Sequence, residues 1–265
     1  MAHSVAPRKP AERRPRGLVS MCTSTGSVTD SASVTTRRPA GPRVTETPNA
    51  LPAAVLWDMD GTLVDTEPYW MIAEHELVEE FGGTWTDELG TELVGNDLIT
   101  SAEFIIAHSP VTLAPAEVVE RLLVRVIEQV RAHVPWRPGA QELLADCRRH
   151  GVPCALVTMS WTSLARAVVD ELPEGTFATV VTGDAVTRGK PDPEAYLVAA
   201  DRLGVRPGEC VAIEDSPKGV ASAVAAGVPT LAVPHVVPVP RTEGSVQIPS
   251  LRGMGVADLH PALGR

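Results

Sequence analysis

Two carboxylates two residues apart, Asp58 and Asp60, stand at the end of the apolar run Ala54 to Trp57. A run of that length and composition reads as a short buried strand. Alternation along a strand puts Asp58 and Asp60 on one side and Met59 on the other. Two anions about 4 Å apart repel by roughly 4 kcal/mol at an effective dielectric near 20. Either a cation sits between them or one of them holds a proton. A hard divalent cation takes carboxylate oxygens, and a protonated carboxyl beside an ionised one is an acid beside a nucleophile. Gly61 permits a sharp turn directly after the pair, and Thr62 adds a hydroxyl just beyond it.

The frame that would position this pair is legible downstream. From Pro138, helix 138–150, strand 153–158, helix 161–172, strand 177–182, helix 193–203, strand 210–213, helix 218–226 and strand 228–233 follow in turn. Such alternation predicts an α/β fold, a Rossmann-like doubly wound parallel sheet covered by helices on both faces. Ligands bind these sheets at the carboxyl ends of the strands. Asp58 and Asp60 follow the first strand, Thr158 and Ser160 end the second, Lys190 lies in the loop after the third, and Glu214 and Asp215 end the fourth. A nucleophile, hydroxyl donors, a cation and a second acidic pair thus converge on one rim.

Between the first strand and this alternating region the chain reads as helix. Glu67 to Phe81 places Trp70, Met71, Ala73, Leu77, Val78 and Phe81 near a helical period, with Glu74, Glu76, Glu79 and Glu80 largely on the opposite side, and Gly82-Gly83 ends it. A second helix is expected over 99–108 and a third, opened by Pro115, as far as His133. About 70 residues of helix are too many for an ordinary crossover. The expected organisation is a disordered tail over 1–50, a catalytic core from 51–66 and 137–240, a helical cap over 67–136, and an extension over 241–265. Residues from Pro234 onward, with four prolines by Pro249, are expected to wrap the core loosely and carry no chemistry.

The ordered set of motifs resembles that of the haloacid dehalogenase superfamily over about residues 54 to 233, in the subgroup of phosphatases and β-phosphoglucomutase-like enzymes with a helical cap after the first strand. Asp58-Met59-Asp60-Gly61-Thr62 resembles the first motif, Thr158-Met159-Ser160 the second, Gly189-Lys190-Pro191 the third, and Glu214-Asp215-Ser216 the fourth. The resemblance implies that Asp58 attacks phosphorus and Asp60 handles the proton. It implies further that Thr158 and the Met159 amide bind phosphoryl oxygens, and that Lys190 offsets charge on phosphate and nucleophile. Mg²⁺ would be held by Asp58, the Asp60 carbonyl and Asp215, with Glu214 in the outer shell. Met159 stands where Asn, Gly or Ser is frequent, which removes a side-chain contact and leaves the amide.

Within that family the second acid, Asp60, argues against dehalogenation. A phosphomutase of the β-phosphoglucomutase type carries a cap-side His where this chain has Trp70, and an Arg soon after the Gly of Leu93-Val94-Gly95-Asn96-Asp97, where this chain has none. Both departures favour hydrolysis. Trp70 and Asn96 are the candidate cap contacts. A binding protein that merely retains the fold is the remaining alternative, and its usual mark, loss of a catalytic acid, is absent. The expected activity is a Mg²⁺-dependent phosphatase acting on a small phosphorylated metabolite, with sugar or polyol phosphates favoured.

Composition narrows the partners. Residues 1–50 hold eight Lys or Arg against three Asp or Glu, a balance of +5. The net charge of −10 therefore leaves −15 on residues 51–265. An acidic body argues against nucleic acid, and no run approaches the roughly 18 apolar residues of a membrane span. The tail carries Arg13-Arg14 without a following apolar region, and Met21 is an alternative start. Cys22, Cys147, Cys154 and Cys210 lack metal-like spacing and read as free thiols, buried by default, which fits a cytoplasmic protein. A monomer or weak dimer is expected.

Overall fold

The computed structural model describes residues 51–264; the expectations for the tail, Cys22 and Met21 lie outside them. Strands β1 (Ala54–Trp57), β2 (Cys154–Val157), β3 (Thr179–Val181), β4 (Cys210–Glu214), β5 (Thr230–Ala232) and β6 (Ser245–Gln247) form one sheet in the order β3-β2-β1-β4-β5-β6. All pairs are parallel, with Trp57 level with both Leu156 and Ile213. The carboxyl ends of β1, β2 and β4 therefore lie side by side, and β1 sits at the point where the strand order reverses.

Alternation on the central strands divides the interior. Val55 and Trp57 face a cluster with Leu143 of α5 (Ala140–Arg149), Leu164 of α6 (Thr162–Val169) and Leu259 of α9 (Leu259–Ala262). Ala54 and Leu56 face the other way, onto Tyr196 and Ala199 of α7 (Glu194–Leu203) and Ala223 of α8 (Pro217–Ala225). Both faces of the sheet are thus dry, which is why its strands are continuously apolar rather than alternating in polarity.

In chain order, helices α1 (Glu67–Glu80), α2 (Asp87–Thr91), α3 (Leu98–His108) and α4 (Pro115–Ala132) follow β1 and precede α5. Pro115 opens α4, and Glu117 accepts the amide of Ala114 at 3.0 Å, which fixes its start. The stripe Val118, Leu122 and Val126 of α4 is buried with Ala73, Leu77 and Ile105 of α1 and α3. The five-residue α2, capped by Thr86, was not foreseen; it is too short to show a period.

The end of the chain corrects the expectation of loose wrapping. β6 pairs in parallel with β5, and Leu251, Val256 and Leu259 are buried in the core that holds β1. His235 also reaches the Asp65 carboxylate at 2.8 Å. The open edge of β5 selects β6, since Ser-Val-Gln has no apolar alternation of its own. Cys147, Cys154 and Cys210 are buried free thiols. Among the described residues no helix is long and apolar enough to cross a membrane.

Candidate active site

Asp58 follows β1 directly, its amide donating to the carbonyl of Ile213 at 3.0 Å, so the neighbouring strand fixes where its side chain emerges. Lys190 Nζ lies 2.6 Å from Asp58 Oδ1, 2.6 Å from Glu214 Oε1 and 2.9 Å from the carbonyl of Val157. The ammonium thus ties together the ends of β1, β2 and β4. Glu214 is fully engaged. Its Oε1 also accepts from Tyr196 Oη at 2.6 Å, and its Oε2 accepts from the Asp215 amide at 3.2 Å and Ser216 Oγ at 3.4 Å.

Asp215 differs. Its Oδ1 accepts from Thr62 Oγ1 at 3.2 Å, while its Oδ2, like Asp58 Oδ2, is buried without a partner among the described residues. Gly61 makes room for this carboxylate. Its φ is +85°, and a β-carbon there would collide with Asp215 Oδ2.

Carboxylate oxygens of Asp58, Glu214 and Asp215 come within 4.8 Å of one another. Three acids against one ammonium leave a formal charge of −2. Burial, and then the Glu214 charge, pushes Asp58 up to about 7 despite Lys190. Burial, followed by the charges of Asp58 and Glu214, raises Asp215 well above the carboxylate range. Buried charge of one sign with orphaned oxygens is stabilised by a cation. The donor set, all oxygen, suits a hard divalent ion. Because both oxygens of Glu214 are already taken, the free ligand atoms are those of Asp58 and Asp215.

Asp60 points elsewhere. Its Oδ1 accepts from Thr66 Oγ1 at 2.6 Å and Trp70 Nε1 at 3.5 Å, and its Oδ2 from Ser160 Oγ at 2.8 Å and Thr158 Oγ1 at 3.1 Å. The hydroxyl of Thr158, expected on phosphate, is thus donated to Asp60 while accepting the Ser160 amide at 3.0 Å. Met159 turns its sulfur to the amide of Lys190 at 3.2 Å, so its side chain braces the lysine loop.

A cavity opens over Asp58, Asp60, Lys190 and Asp215, with Thr158, Met159 and Ser160 on the core side, and Trp70 and Asn96 on the helical side. Trp70 is buried and faces Asp60. Asn96 donates to the carbonyl of Glu92 at 3.3 Å and accepts from the Lys218 ammonium, which joins the loop before α3 to α8. Of the expected site residues, then, the structure gathers Asp58, Lys190, Glu214 and Asp215 around one point and Asp60 with Thr158 beside it.

Several residues of the site were missed. Tyr196 holds Glu214 from within α7. Glu67 and Glu74 line the cavity, and Glu74, expected on the outer side of α1, is 5 % exposed and accepts from Trp85 Nε1 at 3.0 Å. Burial pushes both up to about 8, the charges of Asp60 and Glu74 adding to the shift at Glu67. The available signal was spacing: Glu67, Trp70 and Glu74 stand at i, i+3 and i+7, one stripe of a helix.

Residues 52–227 match the family model described as haloacid dehalogenase-like hydrolase. Hexitol phosphatase A of Escherichia coli K12 is 35 % identical over 197 residues, covering 70 % of this chain and 85 % of that protein. A probable pseudouridine-5'-phosphatase of Drosophila melanogaster is 31 % identical over 186 residues, covering 68 % and 80 %. Among solved structures, CbbY from Rhodobacter sphaeroides in complex with phosphate superposes with a TM-score of 0.72 at 26 % identity, covering 79 % of this chain and all of that one.

Proposed function

The chain belongs to the haloacid dehalogenase-like hydrolases, and we propose that it is a Mg²⁺-dependent phosphatase that hydrolyses a sugar or polyol phosphate through an aspartyl-phosphate intermediate. The observation that carries this reading is the pair of buried, unpartnered oxygens, Asp58 Oδ2 and Asp215 Oδ2, beside a lysine that already neutralises the other oxygen of Asp58. The hexitol and pseudouridine-5'-phosphate activities in the names of its relatives support a small phosphorylated substrate.

Mg²⁺ would be held by the carboxylates of Asp58 and Asp215 and the carbonyl of Asp60, and when bound it supplies positive charge that lets an anionic nucleophile approach an anionic phosphate. Lys190 adds to that charge and fixes the Asp58 carboxylate. A carboxylate oxygen of Asp58 bonds to phosphorus as the ester P–O bond breaks, and Asp60 gives its proton to the leaving oxygen. Asp60 then takes a proton from water whose oxygen attacks phosphorus, the Asp58–phosphorus bond breaks, and inorganic phosphate leaves. Thr158 and the Met159 amide hold phosphoryl oxygens. Residues 67–136 serve as the cap that closes over the substrate. The buried thiols suit a reducing cytoplasm.

Hydrolysis of p-nitrophenyl phosphate tests this. Activity with Mg²⁺, its loss in EDTA, and a fall of at least about 1,000-fold in Asp58→Asn are expected. Equal turnover in EDTA, or an active Asp58→Asn variant, would sink the reading.

A further inference from the structure

One wall of the cavity is the stripe Glu67, Trp70 and Glu74 of α1. The rest of its helical side is apolar or uncharged, with Leu93, Leu98, Val119 and Ser101 among its residues. Glu74 is buried, Trp85 takes its Oε2, and among the described residues no donor meets its Oε1. Among the described residues that line the cavity only Lys190 is basic, and it is committed to Asp58 and Glu214. Lys218 lies outside the lining with its ammonium on Asn96.

A substrate that places its phosphoryl group at Asp58 must put its remaining atoms against this wall. We infer that Glu67 and Glu74 select monophosphates whose other end is uncharged and hydroxyl-bearing, and exclude compounds carrying a second phosphate. This rests on the phosphatase reading. A hydroxyl can donate to Glu74 Oε1, and the faces of Trp70 and the leucines cover carbon. A second phosphate would leave water for a wall that offers it no ammonium or guanidinium, and an unpaired buried anion is strongly disfavoured. Either protonation state of the two acids leaves that charge uncompensated, and the ionised state adds repulsion, so rejection comes from the unwanted ligand's charge.

The test compares kcat/KM for sorbitol 6-phosphate and fructose 1,6-bisphosphate, with p-nitrophenyl phosphate hydrolysis establishing turnover. The wild type should prefer the monophosphate by at least about 100-fold. Glu67→Lys, at a half-buried position, should narrow that ratio at least about tenfold, chiefly through KM for the bisphosphate. Glu74→Gln should narrow it less, about threefold and only at an assay pH above 8, where the wild-type carboxyl is ionised, because it removes charge without supplying a cation. Hydrolysis of both sugars with ratios within about threefold in the wild type, or a ratio unmoved by Glu67→Lys and Glu74→Gln, would overturn the inference alone. Failure of the wild type to hydrolyse p-nitrophenyl phosphate would overturn the phosphatase reading and this inference with it.

Discussion

Replacing Glu74 with Gln should stabilise the protein by an amount that grows with pH. The carboxyl is buried beneath α2 and held at about 8 instead of its ordinary 4.5; burial is the cause, and the Trp85 hydrogen bond opposes it. A carboxyl raised in the folded state contributes its stability in full below the unfolded value and loses it as pH climbs through the folded one. The window here is therefore pH 4.5 to 8. At about 1.4 kcal/mol for each tenfold change in proton affinity, ionising Glu74 in place costs at most about 5 kcal/mol. Glutamine has the same shape and keeps an oxygen for Trp85 Nε1, so the variant and wild type should unfold alike near pH 4.5 and diverge above it. Each kcal/mol is about 2–4 °C in a body of this size, which caps the gap at about 10–20 °C by pH 8.5. Thermal unfolding followed by circular dichroism, with EDTA in both samples, measures it. A gap that is constant with pH, or a variant less stable at pH 8.5, would refute a buried titrating Glu74.

Other perturbations separate the roles of neighbouring residues. Lys190→Met leaves Asp58 and Glu214 buried without their shared ammonium, so urea unfolding should show a loss of about 3–5 kcal/mol, and the loss should shrink at low pH as the acids protonate. Thr158→Val removes a hydroxyl that donates to Asp60 in the structure and to phosphate in the proposed cycle; kcat should fall about 10- to 100-fold and return in Thr158→Ser, whereas equal rates in Val and Ser variants would dismiss the hydroxyl. Leu259→Ala, in the segment expected to be loose, should cost about 2–5 kcal/mol in the same urea assay, because the side chain is wholly buried.

The core acids were legible because strand-end positions are set locally. Ala54 to Trp57 is apolar throughout, and a parallel strand brings whatever follows it to the same rim as its neighbours, so Asp58, Lys190, Glu214 and Asp215 could be assembled on paper from order alone. Tyr196 could not: its hydroxyl meets Glu214 only because α7 crosses the sheet face opposite Val55 and Trp57, a matter of packing rather than spacing. β6 is three residues at a sheet edge, and nothing in Ser245–Gln247 distinguishes it from a loop until β5 offers unpaired backbone groups.

Glu74 was misplaced for a more instructive reason. A helix at the surface of a globular core has one dry side and one wet side, so acids opposite the apolar stripe are assigned to water. α1 instead lies between two interiors, with Ala73, Leu77 and Val78 packed among the other helices and Glu67, Trp70 and Glu74 turned to the cavity above Asp58. Only Glu76, Glu79 and Glu80 of its glutamates are left for solvent, where Glu76 and Glu80 pair with Arg125. An acid kept out of water at a cost of several kcal/mol, with no cation beside it among the described residues, does not earn its place through the fold. Its place in the lining of the cavity that holds the orphaned carboxylates ties that cost to whatever enters, and makes Glu74 the residue at which stability and substrate choice can be measured in one variant.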